Sequence, residues 1–214
     1  MLMTNVRGLL SDAAAEAVNP AQTGLLQQIA NKKVDYENKF TLRDSTLDAI
    51  AKISKVIPGN ENLMLFTAMM ESGVGSDPNV NKFRVVDKGT VGHGGVFQVT
   101  NGAFQAIQKS KNDRMVEAKT RIKNELGVDI DAVPKKEIRK FLETPLNSAI
   151  AARLYYYMSP KAAVANESKP QEFFKAWNKQ YHKVPGKTWE KHGRKRWEES
   201  SIFLRELGNQ NGSR

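Results

Sequence analysis

Residues 63–75 read LMLFTAMMESGVG. Leu63, Met64, Phe66, Met69 and Met70 form the apolar face of a helix, Glu71 follows, and Gly73 and Gly75 stop it. A carboxylate is seldom set against a core without a partner. The C-terminal end of a helix is negative, and together with apolar neighbours this favours the neutral acid. A neutral carboxylic acid is what protonation of a glycosidic oxygen requires. The plainer alternative is that Glu71 opens a surface loop and points to water. Position alone leaves the two readings even.

Helical signals surround this stretch. DSTLDAIAKISKVI predicts a helix capped by Asp44 or Ser45 and ended by Pro58-Gly59. Asn60 or Asn62 caps the helix that carries Glu71. Residues 72–95 hold six glycines and no helical period, so a long loop or a small hairpin is expected there. Helices are expected again from Thr100-Asn101 through Ile107, over 113–126 closed by Gly127, in PKKEIRKFL, in PLNSAIAARLYYYM, in EFFKAWNKQ behind a Ser168/Gln171 capping box, and over about Lys191–Leu207. Trp197, Phe203, Leu204 and Leu207 of the last helix are available for the core. The fold class is mostly α: a helical domain over 43–214 with a Gly-rich loop, preceded by an N-terminal arm over 1–42 that is loosely structured or helical.

Composition narrows the chemistry. The chain has 214 residues, enough for one domain with a substantial core. It has no cysteine, which removes disulfides, zinc–thiolate sites and cysteine nucleophiles. His93, His182 and His192 show no paired metal-ligand spacing, and no GxSxG elbow or phosphate-binding loop is present, so no metal and no cofactor are expected. No apolar run is long enough to span a membrane, and the N-terminus lacks the pattern of a secretory signal. The net charge of +10 points to a polyanionic partner. Much of the excess sits in Lys179–Arg196, where seven basic residues face one acid, Glu190; taken alone, this is a solvated face.

With metal and nucleophile chemistry set aside, carboxylate chemistry is left. Glu71-Ser72 is followed by GHGGVFQVT. This order resembles the signature of the soluble lytic transglycosylase and goose-type lysozyme superfamily, in which a catalytic Glu-Ser at a helix end precedes a Gly-Ala-x-Gly-Leu-Met-Gln-Ile loop. Gly92, Gly95 and Gln98 match, Val96, Phe97 and Val99 are conservative, and His93 stands where alanine is usual. The separation between Glu71 and Gln98 is longer than is usual. TPLNSAIAARLYYYM resembles the family helix with an Asn-Ile pattern before Tyr-Leu. FFKAWNKQYHKVPG resembles the Ala-Tyr-Asn-Ala-Gly segment, with Trp177-Asn178 at Tyr-Asn and Lys179-Gln180 replacing Ala-Gly.

The resemblance implies an enzyme that cleaves the β-1,4 bond between N-acetylmuramic acid and N-acetylglucosamine in peptidoglycan. Glu71 is the implied general acid. Ser72, Gly94, Gly95, Gln98, Tyr155, Trp177 and Asn178 are the implied substrate-binding residues, with Ser72 alternatively capping the turn. A lytic transglycosylase closes a 1,6-anhydro ring with the same glutamate; a hydrolysing relative holds a water with an extra aspartate. Asp77 and Asp87 are the candidates for that role, although a simple DKGT turn accounts better for Asp87. Two other classes stay open: a murein endopeptidase, and a basic helical protein that binds nucleic acid, the latter disfavoured as a partner. The missing leader and basic charge fit a phage enzyme for wall penetration or host lysis. It would be carried in the virion or held in the infected cytoplasm, with the arm as a candidate tether to virion proteins.

Overall fold

The computed structural model describes residues 36–75, 93–159, 168–183 and 185–211. Asp77, Asp87, Gly92 and most of the N-terminal arm lie outside the described residues, as do the side chains of His93, Phe203, Leu204 and Leu207.

The helix of the opening stretch, α2 (Glu61–Ser72), is the centre of the molecule. Every residue from Asn62 to Met69 is buried, so it is enclosed all round rather than on one face. Met70, expected on the buried face, is only partly buried, whereas Leu65 and Ala68 are fully enclosed. A helix of this kind must be covered on all sides. α1 (Tyr36–Val56), α6 (Pro145–Tyr157), α7 (Pro170–Ala176) and α8 (Arg194–Asn211) do so.

α1 starts at Tyr36 rather than Asp44, and so runs through the expected boundary between arm and domain. YENKFTLR contains no proline or glycine, and the Thr46 hydroxyl donates to the Leu42 carbonyl inside the helix. Asp44 therefore sits mid-helix and pairs with its neighbour Arg43 at 2.9 Å. α1 ends near Pro58, where buried Arg153 of α6 donates to the carbonyls of Ile57 and Pro58 at 3.1 and 2.6 Å. A guanidinium thus satisfies the carbonyl-rich end of α1.

The remaining α-helices are α3 (Asn101–Lys109), α4 (Asp113–Leu126) and α5 (Ile138–Leu142). Their ends match simple capping chemistry: Thr100, Asn112 and Thr144 accept from Ala103, Met115 and Asn147, and Gly127 closes α4 at φ 69°. Pro134 is followed by a 3₁₀ turn, Lys135–Glu137, before α5 begins. Lys119 is buried and joins α3 to the loop after α4 through the Gln108 and Ser110 carbonyls and Asp131. The cap expected at Ser168/Gln171 falls one residue on, where Glu172 accepts from the Lys169 N–H. Among the described residues the fold is eight α-helices, and its only sheet is a hairpin of β1 (His93–Gly94) and β2 (Val99–Thr100). No helix among them is long and apolar enough to cross a membrane.

Two segments depart from α geometry: Trp177–His182 and Trp189–Gly193 are wide π turns. The helix expected through Gln180 therefore stops as an α-helix at Ala176, and the one expected from Lys191 begins as a π turn. Gly193 shows why close packing is needed at the second. A Cβ there would meet Phe174 and Trp189 ring atoms at 2.6 and 2.5 Å. Gly193→Ala is expected to lower stability by about 1–3 kcal/mol, as overpacking does; urea unfolding monitored by tryptophan fluorescence measures it.

Candidate active site

Glu71 occupies the last turn of α2, and its side chain is 12% exposed. Gly73, Val74 and Gly75 then take positive φ in succession, at 59°, 59° and 84°. For a β-branched residue this is a strained conformation, costing about 1–3 kcal/mol. The Val74 side chain is wholly buried and its N–H donates to the Ala68 carbonyl at 2.9 Å, which together pin the turn. Ser72 is wholly buried as well. Its hydroxyl accepts from the Gly75 N–H at 2.9 Å and donates to the Ala68 carbonyl at 3.2 Å. Of the two roles considered for Ser72, the structure gives it the turn.

Across from the helix end lies the first π turn. The Trp177 indole N–H donates to Glu71 Oε1 at 2.8 Å. The His182 ring stacks on the Trp177 ring at 4.5 Å between centroids, and its Nδ1 lies 3.6 Å from the same carboxylate oxygen. In an α-helix, residues five apart point about 140° away from each other. The i→i+5 turn, closed by the Lys183 N–H on the Asn178 carbonyl, brings positions 177 and 182 onto one face. Two rings thus reach one acid from a single short segment.

The hairpin makes the third wall. Tyr181 donates its hydroxyl to the Phe97 carbonyl at 2.7 Å, and the Phe97 N–H donates to Ser148 Oγ at 3.2 Å. Tyr181 stacks on Tyr156 at 5.1 Å, and the Tyr156 hydroxyl lies 2.7 Å from Thr67 Oγ1, whose own proton goes to the Leu63 carbonyl. The π turn, the hairpin, α6 and α2 are therefore joined through polar groups around the acid. Burial pushes both phenols well above the usual tyrosine range, and the nearby negative charge of Glu71 adds to this. Both remain neutral donors.

The other sequence-derived positions fall as follows. Gly95, at φ 67°, packs inward: a Cβ would come within 1.9 Å of the Leu142 carbonyl oxygen and 2.6 Å of Ser148 Oγ. Its missing side chain serves the hairpin's seat on α5 and α6 rather than approach to a sugar. Gly94 is buried and pairs with Val99. Gln98, also at positive φ, folds its side chain back to donate to the Gly95 carbonyl at 2.8 Å. Tyr155 is half-buried, meets Tyr181 edge-on, and accepts from the Lys183 ammonium. Asn178 turns its amide toward the Lys187 carbonyl at 3.5 Å, and its own carbonyl oxygen is shut away from solvent. That places the Asn178 amide in the frame of the π turn. Lys187 Nζ lies 5.8 Å from the centre of the Trp177 ring, so part of the basic run borders the indole that holds the acid. His182, Tyr181 and Ser148 were not anticipated. The available signal was the aromatic pair at 181 and 182 following Trp177, which an α-helical reading splits between faces.

Set against known proteins, the chain matches no family model, no curated protein and no solved structure.

The arrangement can hold and orient one proton-transferring carboxyl group beside an aromatic wall. Among the described residues, no three His, Asp or Glu side chains converge as a metal site would need. If the indole bond fixes the carboxylate, a double-mutant cycle of Trp177→Phe with Glu71→Ala, read by denaturant unfolding, is expected to give a coupling of about 1–3 kcal/mol.

Proposed function

We propose that this protein is a muralytic glycosidase that cleaves the β-1,4 bond between N-acetylmuramic acid and N-acetylglucosamine with Glu71 as its proton donor. The observation that carries the reading is the largely enclosed Glu71 carboxyl, fixed at 2.8 Å by the Trp177 indole at the end of a buried helix. The resemblance of Glu71-Ser72, the Gly92–Val99 loop and the Trp177-Asn178 segment to the lytic transglycosylase and goose-type lysozyme superfamily supports it.

In this reading Glu71 gives its proton to the bridging oxygen as the C1–O bond breaks. The substrate's own acetamido group assists the oxocarbenium-like centre. The Glu71 carboxylate then takes the proton from the C6 hydroxyl while O6 attacks C1, closing the 1,6-anhydro ring and restoring the acid. No water is consumed. A single carboxyl group serves as acid and then base. The alternative product, a reducing sugar, requires a carboxylate that holds water; Asp77 and Asp87, the candidates for it, lie outside the described residues. Trp177, expected to face a sugar, is buried with His182 stacked on its ring and serves to hold the acid instead; the half-buried Tyr155 ring is suited to a sugar, and the lysines beside the two rings to an anionic wall polymer. Wall penetration or host lysis by a phage is the setting that fits these features.

Glu71→Gln keeps the size of the side chain and an acceptor for the indole but removes the transferable proton. It is expected to lower the rate of clearing of purified peptidoglycan by about 10²–10⁴-fold with unfolding unchanged. Full activity in this variant would contradict the reading. Activity abolished by a chelator, with free peptide ends among the products, would point to an endopeptidase.

A further inference from the structure

The sugar rings of the proposed substrate carry no charge, so the basic run beside the acid must answer to something else on the strand. Part of that run is matched within the protein: Arg194 and Lys195 pair with Glu198 and Glu199 one turn along α8. Lys183 is different. It is exposed, and among the described residues its ammonium meets a phenol and no carboxylate. It also closes the π turn, with its N–H on the Asn178 carbonyl at 2.8 Å, in the left-handed conformation at φ 55° and ψ 29°. Glycine or asparagine takes that conformation at less cost. The lysine placed there carries its Nζ to the Tyr155 hydroxyl, to which it donates, 5.0 Å from the centre of that ring.

Tyr155 is itself held in place. Half-buried on α6, it meets Tyr181 edge-on at 5.5 Å between centroids. Its oxygen accepts from the ammonium, and among the described residues its own proton has no acceptor. An O–H and an N–H donor thus stand side by side, one of them on a cation. A carboxylate has two oxygens and can accept from both, and bonds between ionised partners are about twice as strong as neutral ones. Lys187 Nζ, 5.8 Å from the centre of the Trp177 ring, adds positive charge from the same stretch of chain. Lys183 directly follows His182, whose Nδ1 lies 3.6 Å from Glu71, so the donor pair is next to the acid.

We infer that Lys183 and Tyr155 form a subsite for a carboxylate borne on the muramic acid residue, and that this subsite makes the enzyme select charged strands over neutral ones. The inference rests on the glycosidase reading of Glu71. In N-acetylmuramic acid the lactyl group is attached at C3 of the ring whose C1–O bond breaks. A carboxylate on that group, or on a peptide joined through it, is the anion nearest the reacting bond. The ring face of Tyr155 then serves the sugar, and its hydroxyl edge with Lys183 serves the anion. Specificity of this kind comes from the cost of leaving a donor pair without its acceptor when the strand is neutral.

The test is kcat/KM on soluble peptide-bearing strands and on the same strands with their carboxylates converted to methylamides, for the wild type, Lys183→Gln and Tyr155→Phe. The wild type is expected to prefer the charged strands by about tenfold, and both variants to lose most of that preference whatever their absolute rates. Lys195→Gln removes the same charge from α8 and is expected to keep the wild-type ratio. No preference in the wild type, a ratio unchanged in either subsite variant, or an equal loss in Lys195→Gln overturns the inference. Strands freed of peptide by an amidase separate the two sources of the anion. A loss of preference in Lys183→Gln on these as well assigns the lactyl carboxylate, and a loss confined to peptide-bearing strands assigns a carboxylate of the peptide. Glu71→Gln separates the two layers. If it keeps full activity, the reading of Glu71 falls; if it is inactive while the ratios are the same in all other variants, the role of Lys183 and Tyr155 alone falls.

Discussion

The bond from the Trp177 indole to Glu71 spans 106 positions of sequence and joins the two parts of the fold that must agree for the site to exist. On one side is the end of α2, whose residues from Asn62 to Met69 are all buried. On the other is a π turn that depends on α7 before it and on aromatic packing beneath it. A carboxyl group so near the core needs a polar partner, and the indole N–H supplies one. If the π turn relaxed to α geometry, Trp177 and His182 would diverge and the two rings could not both face Glu71.

The support for this contact can be followed back into the core. Phe66 of α2 stacks with Phe173 and Trp197, Trp189 meets Phe174, and Phe174 meets Trp177. The chain of rings carries the position of the central helix outward to the indole. Gly193 permits the tightest approach along this path. On the other flank, Thr67, Tyr156, Tyr181, Phe97 and Ser148 form a polar route from α2 through α6 to the hairpin. The strained Val74 lies in the turn that directly follows Glu71 and is pinned by its own burial and its bond to Ala68.

Much of this was legible in the sequence. The apolar run ending in Glu71, the glycine stop, the caps at Thr100 and Thr144 and the glycine closing α4 are local matters of period and side-chain chemistry. So is the central place of Glu71 among the candidates. What local reasoning missed depends on tertiary packing. The cap at Asp44 was overridden because residues before it continue the helix. Ser72 and Gly95 look like groups that face a ligand, yet their hydroxyl and bare Cα are used by the fold itself, a distinction that burial alone decides. His182 was passed over because an α period sends it away from Trp177, and the aromatic pair at 181 and 182 does not by itself announce a widened turn.

The central claim is that a lone carboxyl group held by Trp177 performs both proton transfers of a glycan cleavage. Mass spectrometry of the muropeptides released from purified cell wall tests it most directly. The account predicts disaccharide-peptides lighter by one water than their reducing counterparts, ending in 1,6-anhydro-N-acetylmuramic acid. Release of peptides from intact glycan strands would contradict it.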